Sequence, residues 1–193
     1  MYLQEKFNRY DVSHRIATSM LKTRKHKIAF YPCCFRDFIQ SRDILGEYVD
    51  EIIFCDIFKH PDWDKVKSKD ALPKVRLVIE DAREYLKRLP IIDVFFHRND
   101  GYGEGGSGIP FLSPRVLVQI VSQFPAEGGL IITDGKNSSG HIFKKMLRPE
   151  GYFRKEWGLH FQLEKEQPFY TKLNLQIIRV APHTEEKRAI FPN

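Results

Sequence analysis

The segment that most constrains this chain is Lys27–Tyr31 (KIAFY), a short apolar run that stops at Pro32-Cys33-Cys34-Phe35-Arg36-Asp37. A helical pattern, Asp37–Leu45, follows, and a second apolar run, Val49–Cys55, with its strand at Glu51–Cys55, ends at Asp56. Strand, turn, helix, strand and terminal acid in that order describe a parallel β-α-β unit, since parallel neighbours need a crossover of roughly a dozen residues. Such a unit gathers the turn and the acid at the carboxyl ends of the strands, where open α/β sheets take their ligands. Turns of this kind are normally rich in glycine, because the backbone must come close to what it binds. This one has no glycine at all. Asp37 is placed to cap the helix, and Gly46 to close it in a left-handed turn.

The alternation continues along the chain. Residues 2–22 carry Leu3, Phe7, Tyr10, Ile16, Met20 and Leu21 among charges, the pattern of a leading amphipathic helix. Residues 57–73 are weakly patterned, with one helical turn after Pro61. Residues 74–89 fit either one helix or a strand, Val75–Ile79, followed by a helix from Glu80-Asp81. We favour strand then helix, because the next strand, Ile91–His97, follows Pro90 too closely for a single helix to serve as the connection. Ser113-Pro114 opens a helix through Phe124, with Ser at the cap and Pro at the first helical position. Gly129–Thr133 is a further strand ending at Asp134, residues 140–149 a short helix, and Leu159–Leu163 with Leu173–Val180 an antiparallel hairpin.

These elements predict one α/β domain over residues 1–193. A leading helix lies in 1–26, the core spans 27–180 and a polar tail occupies 181–193. Its sheet is mostly parallel, with helices on both faces and an antiparallel C-terminal hairpin. A hydrophobic content of 42% supports an ordinary core, and no stretch reaches the roughly 18 apolar residues of a membrane span. The opening MYLQEKFNRYDVSHR is charged, unlike a secretory signal. Cys33, Cys34 and Cys55 are odd in number and two are adjacent, which argues against a disulfide framework and for a reducing cytoplasm. Neither they nor the histidines have the spacing of metal ligands. The net charge of +6 admits a polyanionic partner, nucleic acid included, as well as a small molecule. The basic run Lys22-Thr23-Arg24-Lys25-His26-Lys27 reads as a solvated helix end or as an anion-binding surface. Oligomeric state leaves no trace in the sequence.

The layout of residues 27–180 resembles the class I S-adenosylmethionine-dependent methyltransferase fold. The resemblance implies S-adenosylmethionine as cofactor, held over Tyr31, Pro32, Cys33, Arg36 and Asp37. Asp56 then stands where the family's acid takes the ribose hydroxyls, and Asp81, with Ala82 beside it, where an Asp accepts from the adenine amino group. Asn99-Asp100-Gly101-Tyr102, at the exit of the fourth strand, is similar in its Asn and Tyr spacing to the Asn-Pro-Pro-Tyr motif of amino-group methyltransferases. That likeness implies an acceptor held at Asn99, Asp100 and Tyr102. The glycine-free first loop departs from the family's Gly-x-Gly-x-Gly. Arg36 in its place is able to turn inward and take a carboxylate or phosphate.

Each residue also has a structural alternative. Asp56 and Asp81 are suited to capping the segments after them, and His97 to a hydrogen-bonded place in the core or at its rim. Cys33 and Cys34 precede a helix, a position that lowers a thiol's pKa. Gly101, Gly103 and Gly106 belong to a glycine-rich segment, 98–113, that is either a lid or a plain connector. Gly135-Lys136-Asn137-Ser138-Ser139 reads as a polar turn, and Trp63 and Trp157 as packing residues. The rival to a methyltransferase is a non-enzymatic module of the same fold that binds nucleic acid or protein through its basic surface.

Overall fold

The computed structural model describes residues 24–66, 73–98, 113–134, 161–163, 169–170 and 175–182. Within them β1 (Ile28–Pro32), α1 (Ile39–Leu45), β2 (Glu51–Asp56), α2 (Trp63–Val66), β3 (Lys74–Ile79), α3 (Ala82–Tyr85), β4 (Val94–His97), α4 (Pro114–Val121), β5 (Gly129–Thr133), β6 (Phe161–Leu163), β7 (Phe169–Tyr170) and β8 (Gln176–Pro182) come in that order. The described strands form one sheet in the order β3-β2-β1-β4-β5-β8-β6, with β7 also pairing with β8. The first five strands run parallel. β8 is antiparallel to β5, and it separates β5 from β6. The α/β class, the parallel sheet and the antiparallel C-terminal strands are as the sequence predicts. Residues 74–89 divide into β3 and α3, with a 3-10 turn over Leu86–Arg88 closing the helix.

The central strands are buried on both faces, which is why β1, β2, β4 and β5 read as unbroken apolar runs. Successive residues go to opposite faces. Phe30, Ile53, Phe95 and Ile131 meet α3 and α4 on one side. Ala29, Tyr31, Ile52, Phe54, Val94, Phe96 and Ile132 meet α1 and α2 on the other. On α4, Leu117, Ile120 and Val121 are fully buried, each worth roughly 1.5–3 kcal/mol of hydrophobic stabilisation. Beneath that helix a side chain at Gly129 would meet the Phe124 ring at 2.5 Å, so only glycine fits. At the sheet's edge β3 exposes Lys74 and Arg76, charges that discourage pairing with another strand.

At the amino ends of the strands, Asp93 is buried and joins β1 to the start of β4. It accepts the Ile28 amide at 2.8 Å, and each of its oxygens takes Arg24 Nη1 at 3.1 Å. His26 pairs with Glu51 at 3.2 Å. Two side chains of the basic run are therefore fastened to the sheet, at the end opposite the candidate site, while Lys25 is exposed.

Two helix-end expectations are corrected. Asp37 does not cap α1; the N-cap is Phe38, which makes no side-chain capping bond, and the Asp37 carboxylate turns toward Tyr31 instead. Gly46 is right-handed at φ −59°, because the chain continues into a further turn. The glycine serves close packing there: a Cβ would lie 2.9 Å from Pro73 Cδ. The leading helix in 2–22, the helix at 140–149, the segment 99–112, the Gly135–Ser139 turn, Trp157 and the tail beyond 182 lie outside the described residues. Among those described, no helix is long and apolar enough to cross a membrane.

Candidate active site

The chain winds from β1 to β2 to β3 in one direction and then crosses to β4 and β5 in the other. The crevice at the carboxyl ends of β1 and β4 is thus the switch point where such sheets bind ligands. Among the described residues, the loops after β1, β2 and β3 leave this end of the sheet, and polar contacts tie them down.

The loop after β1 bends sharply without glycine. Cys33 has φ +56° and Phe35 φ +33°, a left-handed conformation that costs a side-chain-bearing residue roughly 1–2 kcal/mol. Hydrogen bonds hold it there. The Cys33 amide donates to Cys55 O at 2.7 Å, the Asp37 amide to Cys34 O at 2.7 Å, and the Phe35 amide to Asp56 Oδ2 at 2.9 Å. Asp56 Oδ1 in turn accepts the Phe58 amide at 3.0 Å. Asp56 is thus the staple between the first loop and the second, and at 2% exposure it is closed off from solvent. Burial pushes its pKa up, against the opposing pull of those amides.

Aromatic rings seal the same joint. Phe35 stands edge-on to His60 and Phe58, with centroids 5.2 and 6.5 Å away. Phe38 and Phe54 each stand edge-on to Trp63 at 5.5 Å, so Trp63 is a packing residue. Phe58 itself is half exposed, as are Ile57 beside it and Ile79 at the end of β3. Together they form an apolar shelf along the exits of β2 and β3. Beyond it Asp81 caps α3, accepting the Arg83 amide at 2.8 Å while also pairing with the Arg83 side chain at 3.0 Å. Ala82 is buried at the first turn of that helix.

Across the switch point, Tyr31 is buried and its hydroxyl donates to Asp37 Oδ2 at 2.8 Å. Ser41 donates to the same oxygen at 3.1 Å, and Arg98 Nη1 reaches Oδ1 at 3.3 Å. Arg98 also donates to Gln40 at 2.8 Å. Burial raises the pKa of Asp37 in spite of Arg98, and it raises that of Tyr31 well above the phenol's usual value. His97, buried at the end of β4, lies 3.4 Å from Thr133 Oγ1, a hydrogen-bonded core position.

Burial disfavours the thiolate at Cys34 and Cys55. All three cysteines are free and buried. Burial drives Cys34 well above its ordinary value and Cys55 up to about 12, so the lowered pKa predicted at Cys34 is corrected. α1 begins only at Ile39, too far along to stabilise a thiolate. Arg36 is exposed and not turned inward. The structure thus brings Tyr31, Pro32, Cys33, Asp37 and Asp56 to the carboxyl ends of β1 and β2, with Asp81 and Ala82 at the start of α3. Asn99, Asp100 and Tyr102 lie outside the described residues. Sequence reasoning missed Arg98 and Ser41 as partners of Asp37, and the Phe35 amide as partner of Asp56. Arg98 had one available signal, its place at the exit of the fourth strand. Among the described residues, no group of three or more His, Cys, Asp or Glu is arranged to hold a metal ion.

No protein-family model matches the chain, and no curated protein matches it by sequence. Solved structures do resemble it. An rRNA methylase from Streptococcus thermophilus superimposes at a TM-score of 0.53 with 10% identity, over 90% of this chain and 96% of that one. A candidate S-adenosylmethionine-dependent methyltransferase from Streptococcus mutans does so at 0.52 with 12% identity, over 86% of this chain and 47% of that one. The sheet order, the switch point and these neighbours agree on one architecture.

Proposed function

That architecture is the Rossmann-like fold of class I methyltransferases, and from it we propose that the chain is a divergent S-adenosylmethionine-dependent methyltransferase. The observation that carries the reading is the β1–β2 joint: the first loop keeps, without glycine, the left-handed bend of a ligand-cradling turn and is held against the acid that ends β2. The residues present suit the cofactor. The shelf of Ile57, Phe58 and Ile79 offers an apolar bed for an adenine, with Asp81 and Ala82 at its edge. Asp56 ends β2, and it would take ribose hydroxyls only if the Phe35 amide gives way. The cofactor supplies an electrophilic methyl group when bound. The protein's contribution is alignment of an acceptor nucleophile with it and exclusion of water, so no dedicated acid–base pair is needed. The acceptor, an amino group on nucleic acid or on a small molecule, belongs near Asn99, Asp100 and Tyr102.

Calorimetric titration with S-adenosylmethionine and S-adenosylhomocysteine tests this reading. Binding that weakens in Asp56→Ala supports it, whereas no heat at roughly millimolar ligand counts against it.

One observation favours a second reading. Both Asp56 oxygens are taken by the chain's own amides, as expected of a fold that has lost its cofactor and acts as a basic binding module. Filter binding to nucleic acid across a salt series separates the two, since counterion release makes such binding fall steeply with salt.

A further inference from the structure

We propose that the Phe35–Asp56 contact is an autoinhibitory latch: the loop after β1 occupies the acid that ends β2, and a ligand bearing a vicinal diol reaches that acid only in a minor state in which Phe35 has swung away. The inference rests on the methyltransferase reading and adds a conformational gate to it. Asp56 Oδ2 accepts the Phe35 amide at 2.9 Å and Oδ1 the Phe58 amide at 3.0 Å, while the residue as a whole is closed off from solvent. A diol would donate to the same carboxylate oxygens, so the loop and the ligand compete for one acceptor.

The closed position is held by its contacts and opposed by its own backbone. Phe35 stands at φ +33°, a conformation that persists in a residue with a side chain only while its surroundings impose it. The peptide between Cys34 and Phe35 donates its N–H to Asp56 and accepts the Asp37 amide at 2.7 Å on its carbonyl. Each such bond is modest once water is the alternative partner. The Phe35 ring stands edge-on to His60 and Phe58 and is only partly buried. The flanks are firmer. The Cys33 amide is bonded into β2 at Cys55 O, and Phe38 is buried against Trp63. One peptide and one partly buried ring are therefore the movable piece. A ligand sees only the open fraction, and its apparent affinity is reduced by that fraction. A change that weakens the closed state alone must then strengthen binding.

Calorimetry on the full chain tests the latch with two probes, S-adenosylhomocysteine and the same molecule lacking its two ribose hydroxyls. Phe35→Ala keeps the left-handed Cβ and removes the ring contacts, so it weakens the closed state. It should bind S-adenosylhomocysteine at least about fivefold more tightly than wild type, and the dideoxy analogue unchanged within about twofold. Phe35→Gly relieves the strain as well and should gain less. An alanine variant that binds S-adenosylhomocysteine no better than wild type overturns the latch and leaves the cofactor reading standing. An equal gain for both probes also overturns it, since that marks a widened apolar bed. If S-adenosylhomocysteine gives heat with neither protein, the latch and the methyltransferase reading fall together. Should the alanine variant not fold, wild type alone decides. Hydrogen exchange at the Phe35 amide, read by NMR, should quicken at least about tenfold when S-adenosylhomocysteine saturates the chain. Exchange that is unchanged or slower leaves the amide on Asp56 and overturns the latch.

Discussion

The amide of Phe35 donates to Asp56 Oδ2 at 2.9 Å, and this single bond joins a left-handed aromatic residue to a carboxylate sealed from solvent. Backbone strain and buried charge are both costly, and each is held in place by the other. Strained residues of this kind concentrate at functional sites, where surrounding contacts over-determine them. Without the carboxylate the Phe35 amide loses this acceptor; without the bend, the amide cannot face it.

Substitutions at Phe35 separate strain from packing. Phe35→Ala keeps the left-handed Cβ and loses the ring contacts with Phe58 and His60. Phe35→Gly loses the same contacts but relieves the strain. We expect the glycine variant to be the more stable of the two by about 1 kcal/mol, read from urea denaturation midpoints. An alanine variant equal to or better than glycine would show that the bend is relaxed in solution.

Stability should depend on pH through two buried carboxyls, Asp56 and Asp93, and the partly buried Asp37. Asp37, Asp56 and Asp93 all titrate above the ordinary 3.8, each chiefly because burial disfavours its charged form. Each therefore binds its proton more tightly in the folded chain than in the unfolded one. The stability gained from this is complete below 3.8 and is lost as pH rises through the raised folded values. Asp62, Glu80 and Asp81 are shifted down by Lys65, Arg88 and Arg83 and act in the opposite sense, but these pairs are near the surface and weak. The urea midpoint should accordingly rise as pH is lowered from neutral toward the ordinary carboxyl range, and Asp56→Asn should flatten part of that rise. A midpoint that falls over this interval would contradict the assignment.

The basic run should split into structural and surface members. Arg24→Ala removes the buried Asp93's ion-pair partner while leaving it the Ile28 amide and the nearby charge of Lys27, and should cost roughly 1–3 kcal/mol in thermal or urea melts. Lys25→Ala, at an exposed position, should stay within about 0.5 kcal/mol of wild type. A nucleic-acid binding test that neutralises this run is therefore interpretable at Lys25, and at Arg24 only after the melt has been matched. Equal, negligible effects at both positions would mean that Asp93 is satisfied without Arg24.

The parallel sheet was legible because burial on both faces forces unbroken apolar runs, and β1, β2 and β5 carry them to within a residue of their observed ends. β4 is shorter than its apolar run: Ile91 and Ile92 precede it, with Ile91 exposed and the Ile92 amide bonded to Gln123 O. Hydropathy cannot distinguish a residue in the ladder from one leading into it. The strand-then-helix division of 74–89 was also legible, because connection length limits what can join parallel strands.

From the sequence alone came the α/β alternation, the place of the crevice, and the acids at the end of β2 and the approach to α1, since these follow from local pattern and chain reach. Only the tertiary structure decided what those acids do. Asp56 accepts amides from two loops, and Asp37 gathers Tyr31, Ser41 and Arg98, whose sequence separations run from 4 to 61 residues. The pKa of Cys34 and of Cys55 is pushed up for the same reason. A side chain's hydrogen-bond partners and its desolvation are set by what the fold brings next to it, and no window of sequence contains those neighbours.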